Sequence, residues 1–368
     1  METLLIVLLV FMGMLNAHKI VLSFRDQRKV RLRPGLQQKI QKMIQELLQS
    51  GKLIDRNIGR ELPWLYKVPY KAVLGAKFPK KVIFLQAGVH GLEYFSIQTL
   101  LIFIKLVNED LLCRLGIRII AIPIVNYWGF ENYKRTNQKS VDLARDFHVY
   151  KSPLTDVPSY LFVRGYKMTP TIKQITILMG KTWYHRGDSQ LQIETLEILN
   201  IVSDILIDNK KVALYDFHTG NNSRATTVWR SEFDMRTGIP SHLEKVFAHF
   251  NAINKNSMHF ASIDYTTLGG LFEGLSQIFK ESHPNLDANT IELSVLEKAD
   301  FWHYNYYYFF TTVFEPKKKN RARKLKEEVE KIQAIIDAEM RTEQLENEIE
   351  SVSTTFTEVI YMSHKNTV

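Results

Sequence analysis

Two short patterns in this sequence have the residue types and spacing to hold a metal ion. The first is His90-Gly-Leu-Glu93, which follows an apolar run ending at Gly88. Two ligands separated by two residues can both face one ion where a chain turns from strand into helix. Spacing alone is a weak signal: with 11 His and 39 acidic residues in 368, about one His-x-x-acid pair arises by chance. The chain holds two, the other being His185-Arg-Gly-Asp188. Context separates them, because only His90 ends an apolar, strand-like run and is followed by a glycine, Gly91, that lets the backbone turn. The second pattern is Asp216-Phe-His218-Thr-Gly220, at the end of another apolar run. Taken singly, either histidine reads more simply as a packed core or surface side chain. Together, at the mouths of two apolar strands, they make a zinc site of His90, Glu93 and His218 an equal reading. Three protein ligands leave the fourth position for water, as a catalytic zinc requires. Asp216 is a candidate to orient an imidazole from behind. The single cysteine, Cys113, excludes an intrachain disulfide, a Cys-based zinc finger and an iron–sulfur cluster. Any metal must therefore be held by histidines and carboxylates.

Two further groups could take part in chemistry beside such an ion. The stretch from Asn126 to Asn137 and then Val141 to Phe147 carries Arg135 and Arg145. One guanidinium there could hold a substrate carboxylate and the other a developing oxyanion; ordinary surface arginines are the alternative. Glu292 sits mid-way in Thr290-Ile-Glu-Leu-Ser294, where a carboxylate is costly to bury unless it is paired or functional. As a general base beside a zinc-bound water it would be both, whereas on an edge strand it would face solvent.

These groups need a scaffold, and residues 80–315 read as one. Apolar runs at 80–86, 117–124, 212–217 and 290–294 predict strands; the periodicity of 92–107, 191–206, 241–254 and 300–314 predicts helices. Strands separated by helices make an α/β fold with a mostly parallel or mixed central sheet and helices on both faces. Ligands in such sheets lie at the carboxyl ends of strands, where His90 and His218 fall. The chain has no internal repeat. With 45% hydrophobic residues it can bury a sizeable core, which excludes whole-chain disorder.

The two ends differ from the body. Residues 1–17 carry a twelve-residue apolar run from Leu4 to Leu15, short for a membrane span and suited to a signal peptide, although Glu2 and Leu15 are atypical. Residues 18–63 form an N-terminal segment. After Pro316 the chain becomes strongly charged, with seven basic side chains in 317–326 and an acidic block beyond. Leu325, Val329, Ile332 and Ile336 make one apolar stripe of about three turns, which predicts a solvated helical tail dispensable to the core. The formal charge of +9 owes much to this basic run. Without interleaved aromatic residues it does not suggest nucleic acid.

In this order the pieces resemble the zinc carboxypeptidases of the carboxypeptidase A/B type, especially bacterial zinc-carboxypeptidase-like branches. The matching residues are Ala87-Gly-Val-His90-Gly-Leu-Glu93, Val125-Asn126-x-x-Gly129-Phe130, Arg135-x-Asn137, Val141-Asp142-Leu143-x-Arg145-Asp-Phe147, Asp216-Phe-His218-Thr-Gly220 and Thr290-x-Glu292. Arg186-Gly-Asp-Ser189 with Glu194-Thr195 adds to the likeness, which spans roughly residues 64–315 as a catalytic domain and leaves 316–368 outside. The resemblance implies one zinc per chain on His90, Glu93 and His218, with Glu292 activating water and Arg135 stabilising the oxyanion. It assigns the substrate's terminal carboxylate to Arg145, with Asn137 and Tyr265 as further substrate contacts. One position departs: the family's Asp-Leu-Asn-Arg is here Asp142-Leu-Ala144-Arg145, which removes one hydrogen bond to a carboxylate. The stretch from Tyr150 to Trp183 reads as an insertion near the site.

The function so implied is zinc-dependent cleavage of an amide bond, foremost as a metallocarboxypeptidase. Two rivals stand beside it. One is a deacylase of N-acyl amino acids, of the succinylglutamate desuccinylase and aspartoacylase type; the other is a metal-binding pseudoenzyme. The expected partner is a peptide or acyl-amino-acid substrate with a free carboxylate. Neither nucleic acid nor a stable membrane span is expected, and export to the periplasm or outside the cell follows if residues 1–17 are a signal peptide, a cytoplasmic location if not.

Overall fold

The computed structural model describes residues 34–58, 67–139, 141–147, 191–209, 211–219, 225–230, 241–254, 257–261, 271, 275, 279, 282–283, 286–294 and 320–342. Residues 1–17, the insertion from Tyr150 to Trp183, His185 to Asp188, Tyr265 and the expected helix at 300–314 lie outside them. Among the described residues eight strands form one mixed sheet: β1 (Ile54–Asp55), β2 (Tyr70–Gly75), β3 (Lys81–Ala87), β4 (Ile117–Ile122), β5 (Val212–Thr219), β6 (Thr226–Arg230), β7 (Met258–Ala261) and β8 (Asp287–Leu293). Their order is β1-β2-β4-β3-β5-β8-β6-β7. The four in the middle, β4, β3, β5 and β8, run parallel, while β2 and β6 flank them antiparallel. This is the α/β sheet that the alternating runs predict. After β3 the chain places β4 on one side and returns to place β5 on the other. The carboxyl ends of β3 and β5 thus border a topological switch point, where open α/β sheets bind ligands.

Strand periodicity divides the core into two faces. On the first, Ile83 and Leu85 of β3 and Ala213, Tyr215 and Phe217 of β5 meet α1 (Pro34–Gln49), α2 (Tyr94–Leu106), α3 (Glu109–Leu115) and α6 (Ser241–Ile253). On the second, Val82, Phe84, Val212 and Leu214 pack with Ile198, Val202 and Ile205 of α5 (Ile193–Asp208). The short α4 (Tyr127–Asn132) follows β4. Among the described residues no helix is long and apolar enough to cross a membrane.

The C-terminal charged segment corrects the expectation of a solvated tail. Residues 321–342 are indeed helical, and this helix, α7, is buried on the first face through Ile332, Ile335, Ile336 and Met340. Charged side chains hid its inner surface, because several are themselves buried with partners. Lys331 is 1% exposed and Glu328 0%; they pair at 2.8 Å, and Thr226 donates to Glu328 at 2.5 Å. Glu339 accepts from Lys81 at 2.6 Å and also bonds the hydroxyl of Tyr215. A buried charge is tolerated when each ion is met in this way. Arg321 and Lys324, from the basic run, reach inward to Gln98 and Ser294. Helix α1, from the N-terminal segment 18–63, likewise contributes Ile40, Ile44 and Leu47 to the core.

Candidate metal centre

The loops at the switch point are set by backbone before side chains enter. β3 ends at Ala87, and Gly88 takes φ +67°, a left-handed conformation that glycine adopts without strain. Val125 and Asn126 donate to the carbonyls of Ala87 and Gly88, so the loops after β3 and β4 leave the sheet side by side. Gly91 has a different reason from the one its position suggests. A Cβ there would lie 2.2 Å from the carbonyl carbon of Gly129 and 2.3 Å from the nitrogen of Phe130, so the two loops touch backbone to backbone. Asn126 completes the join: its carbonyl oxygen accepts from Gly129 N and its amide donates to the carbonyl of Arg135 at 3.0 Å.

His90, Glu93 and His218 come together in the crevice so formed, all buried, with ligand atoms within 4.8 Å of one another. Nδ1 of His90 is 2.6 Å from one Glu93 oxygen, and Nδ1 of His218 is 3.3 Å from the other. The opposite nitrogens are held from behind: Nε2 of His90 by Asp142 at 3.1 Å, and Nε2 of His218 by Asp216 at 3.0 Å. A carboxylate only accepts, so each Nε2 keeps a proton and each Nδ1 is turned toward the centre. Two such nitrogens and a carboxylate are the donor set of a catalytic zinc site, and the fit is good. Thr219 N donates to Glu93 at 2.9 Å and fixes the second oxygen.

Electrostatics agree with a cation site. Burial works against ionised Glu93, but the two imidazoles outweigh it and hold the carboxyl well below its usual range. Burial likewise opposes charge on His218, yet Asp216 and Glu93 raise it well above an ordinary histidine. Anionic groups thus surround the Nδ1 positions, and a metal and protons compete for the same atoms.

Glu292 stands beside this group. β8 is no edge strand, lying between β5 and β6, and Glu292 is the register partner of His218. Its side chain is half-buried. Burial foremost raises its carboxyl above the usual value, and Glu93 adds to this against the opposing pull of His218, His90 and Arg135. The guanidinium of Arg135 is 3.8 Å from Glu93 and its Nε lies 3.2 Å from Asp142. Asp142 therefore braces His90 and Arg135 with one carboxylate. Sequence reasoning placed Asp142 only in the Arg145 motif; its partner His90 is 52 positions away, and no local signal joins them.

The remaining candidates fall differently. Asn137, expected as a substrate contact, is bonded within the protein: its oxygen accepts from Lys139 N and Val141 N, and its amide donates to Gln192 and Glu194. Those bonds tie the arginine loop to the start of α5. Asp146 does the same, accepting from Gln192 N and Thr195 at 2.7 Å. Arg145 closes a 3-10 turn over Leu143–Arg145, and its side chain lies outside the described residues, as does Tyr265. Ala144 is 7% exposed and packs in the apolar cluster of the second face.

A family described as "Protein of unknown function (DUF2817)" matches residues 71–178. No curated protein sequence matches the chain. Among solved structures, bovine thrombin-activatable fibrinolysis inhibitor in complex with tick carboxypeptidase inhibitor superposes with a TM-score of 0.50 at 16% identity, covering 84% of this chain and 95% of that one. The chain has the carboxypeptidase-like α/β fold. Carboxypeptidase A from Helicoverpa armigera matches at 14% identity over 74% of this chain and 65% of that one, with a TM-score of 0.45. Murein-tripeptide amidase MpaA from Escherichia coli O157 matches at 15% over 67% and 87%, with a TM-score of 0.37.

Proposed function

We propose that the protein is a zinc-dependent hydrolase of amide bonds, foremost a metallocarboxypeptidase acting on a peptide with a free terminal carboxylate. The observation that supports this most is the convergence of His90, Glu93 and His218 beside Glu292 and Arg135 at the switch point. Zinc bound by those three ligands would supply Lewis-acid polarisation and a water acidified toward neutral pH. Glu292, its carboxyl raised above the usual value by burial, takes a proton from the attacking water and passes it to the leaving nitrogen. Arg135, oriented by Asp142, meets the oxyanion as charge develops on the scissile carbonyl. Arg145 receives the terminal carboxylate.

One observation favours the deacylase of N-acyl amino acids as a second reading. Ala144 carries no amide and is packed into an apolar wall, and the amide of Asn137 donates to Gln192 and Glu194. Export remains part of the proposal, with a mature chain beginning near His18, which N-terminal sequencing of the native protein would check.

The deciding experiment is metal analysis joined to a substrate panel. Purified protein should carry one zinc, and His218→Ala should lose it. Amidating the terminal carboxylate of a peptide substrate should lower kcat/KM by about ten- to a thousandfold, the worth of one or two charge-assisted hydrogen bonds. Equal cleavage of free and amidated peptides, unaltered by Arg145→Ala, would exclude the carboxypeptidase reading. Turnover confined to N-acyl amino acids would establish the second.

A further inference from the structure

β3 carries one side chain that its surroundings do not account for. Gln86 is 0% exposed in a strand otherwise apolar from Val82 to Ala87, and neither its Nε2 nor its Oε1 makes a hydrogen bond among the described residues. Its register neighbours are Ile122 on β4, which offers no polar side chain, and Asp216 on β5. Gln86 and Asp216 occupy equivalent places in adjacent parallel strands, so both side chains rise from the same face, with backbones about 4.8 Å apart. Asp216 is itself half-satisfied: Oδ2 holds His218 Nε2 at 3.0 Å, and Oδ1 has no partner among the described residues. Three unmet polar atoms therefore share one strand-to-strand pair directly behind a metal ligand.

An unmet buried amide is costly, and a leucine or methionine would fill the same volume without that cost. Gln86 caps no helix and shapes no turn. We infer that Gln86 is a positioning residue of the metal centre: its amide donates to Asp216 Oδ1, directly or through one buried water, when the metal is bound. The bond would fix the Asp216 rotamer, keep Oδ2 on Nε2, and hold His218 Nδ1 toward the ion. Carboxylates that orient a ligating histidine are themselves hydrogen-bonded in this manner, and losing such support costs about 10–100-fold in metal affinity. The inference rests on reading His90, Glu93 and His218 as a metal centre.

The test uses the full chain and zinc alone, with affinity measured by competition against a chromophoric chelator and the metal-free melting temperature recorded in parallel. Gln86→Met should weaken zinc binding by about 10–100-fold while the metal-free protein melts at or above the wild-type temperature. In an Asp216→Asn background the same change should add little, because the two residues act in one chain. Wild-type zinc affinity in Gln86→Met overturns the inference, as does a loss that simply adds to that of Asp216→Asn. Should Gln86→Met fail to fold, Gln86→Leu is held to the same two criteria, and a failure of both to fold makes Gln86 a folding residue and overturns the inference too. A wild-type protein that takes up no zinc would instead bring down the metal-centre reading itself, so the two failures are distinct.

Discussion

At the scale of single residues, the site is a ring of mutual constraints around Glu93. Glu292, the general base of the proposed mechanism, is a burden on the fold. Its carboxyl is raised in the folded protein, so the stability it lends is fully present below the ordinary value of 4.5 and is lost as pH rises through the raised value. Ionised Glu292 therefore works against folding at neutral pH. Metal-free Glu292→Gln should melt above wild type at pH 7, and the gap should close as pH falls to the ordinary carboxylate value. The same variant should lose about two to four orders of magnitude in turnover. A lower melting temperature at neutral pH, or unchanged turnover, would show that Glu292 is held by a structural bond rather than kept for proton transfer. The gathering of His90, Glu93, His218 and Glu292 was legible in the sequence, because each follows or interrupts an apolar run within a few residues, whereas Arg135 stands eleven positions beyond its run and was singled out by resemblance. Asp142 as the brace of His90 and Arg135 was not legible, since that contact exists only once β3 and β4 lie side by side.

At the scale of elements, the loops after β3 and β4 behave as one piece. Gly91 and Gly129 meet backbone to backbone, and no rotamer can relieve an added methyl there. Gly91→Ala should cost about 1–3 kcal/mol, the usual penalty for overpacking, and should also weaken zinc binding, because the loop carrying His90 and Glu93 or the one leading to Arg135 must move. A melting curve and a zinc titration on the same sample check both, and wild-type values in each would mean the loops are not pressed together. The parallel strands β3, β4, β5 and β8 were readable as apolar runs. β6, Thr226-Thr-Val-Trp-Arg230, is short and polar, and it is a strand because β8 and β7 pair with it on either side. Its burial comes from tertiary contact, which local periodicity does not encode.

At the scale of the whole molecule, α7 belongs to the core. Removing residues 321–342 should uncover the first face and leave protein that is insoluble or lacks a near-ultraviolet circular dichroism signal; a truncated chain melting as cooperatively as the full one would refute this. Lys331→Met tests the same contact more finely. It strands buried Glu328, and breaking a buried pair in this way costs about 3–5 kcal/mol. Charge patterning concealed this helix from sequence reasoning because solvated and internally paired ions look alike in one dimension.

The pairing of Lys81 with Glu339 also joins residues 258 positions apart in the chain. On a ribosome adding about 5–20 residues per second, β3 emerges roughly 13–50 s before the helix that covers it. During that interval Lys81, and from about half-way Tyr215 as well, lacks its partner on α7. Synthesis therefore imposes a waiting period that refolding of the finished chain does not, and aggregation during translation would respond to elongation speed and to chaperones that shield nascent chains.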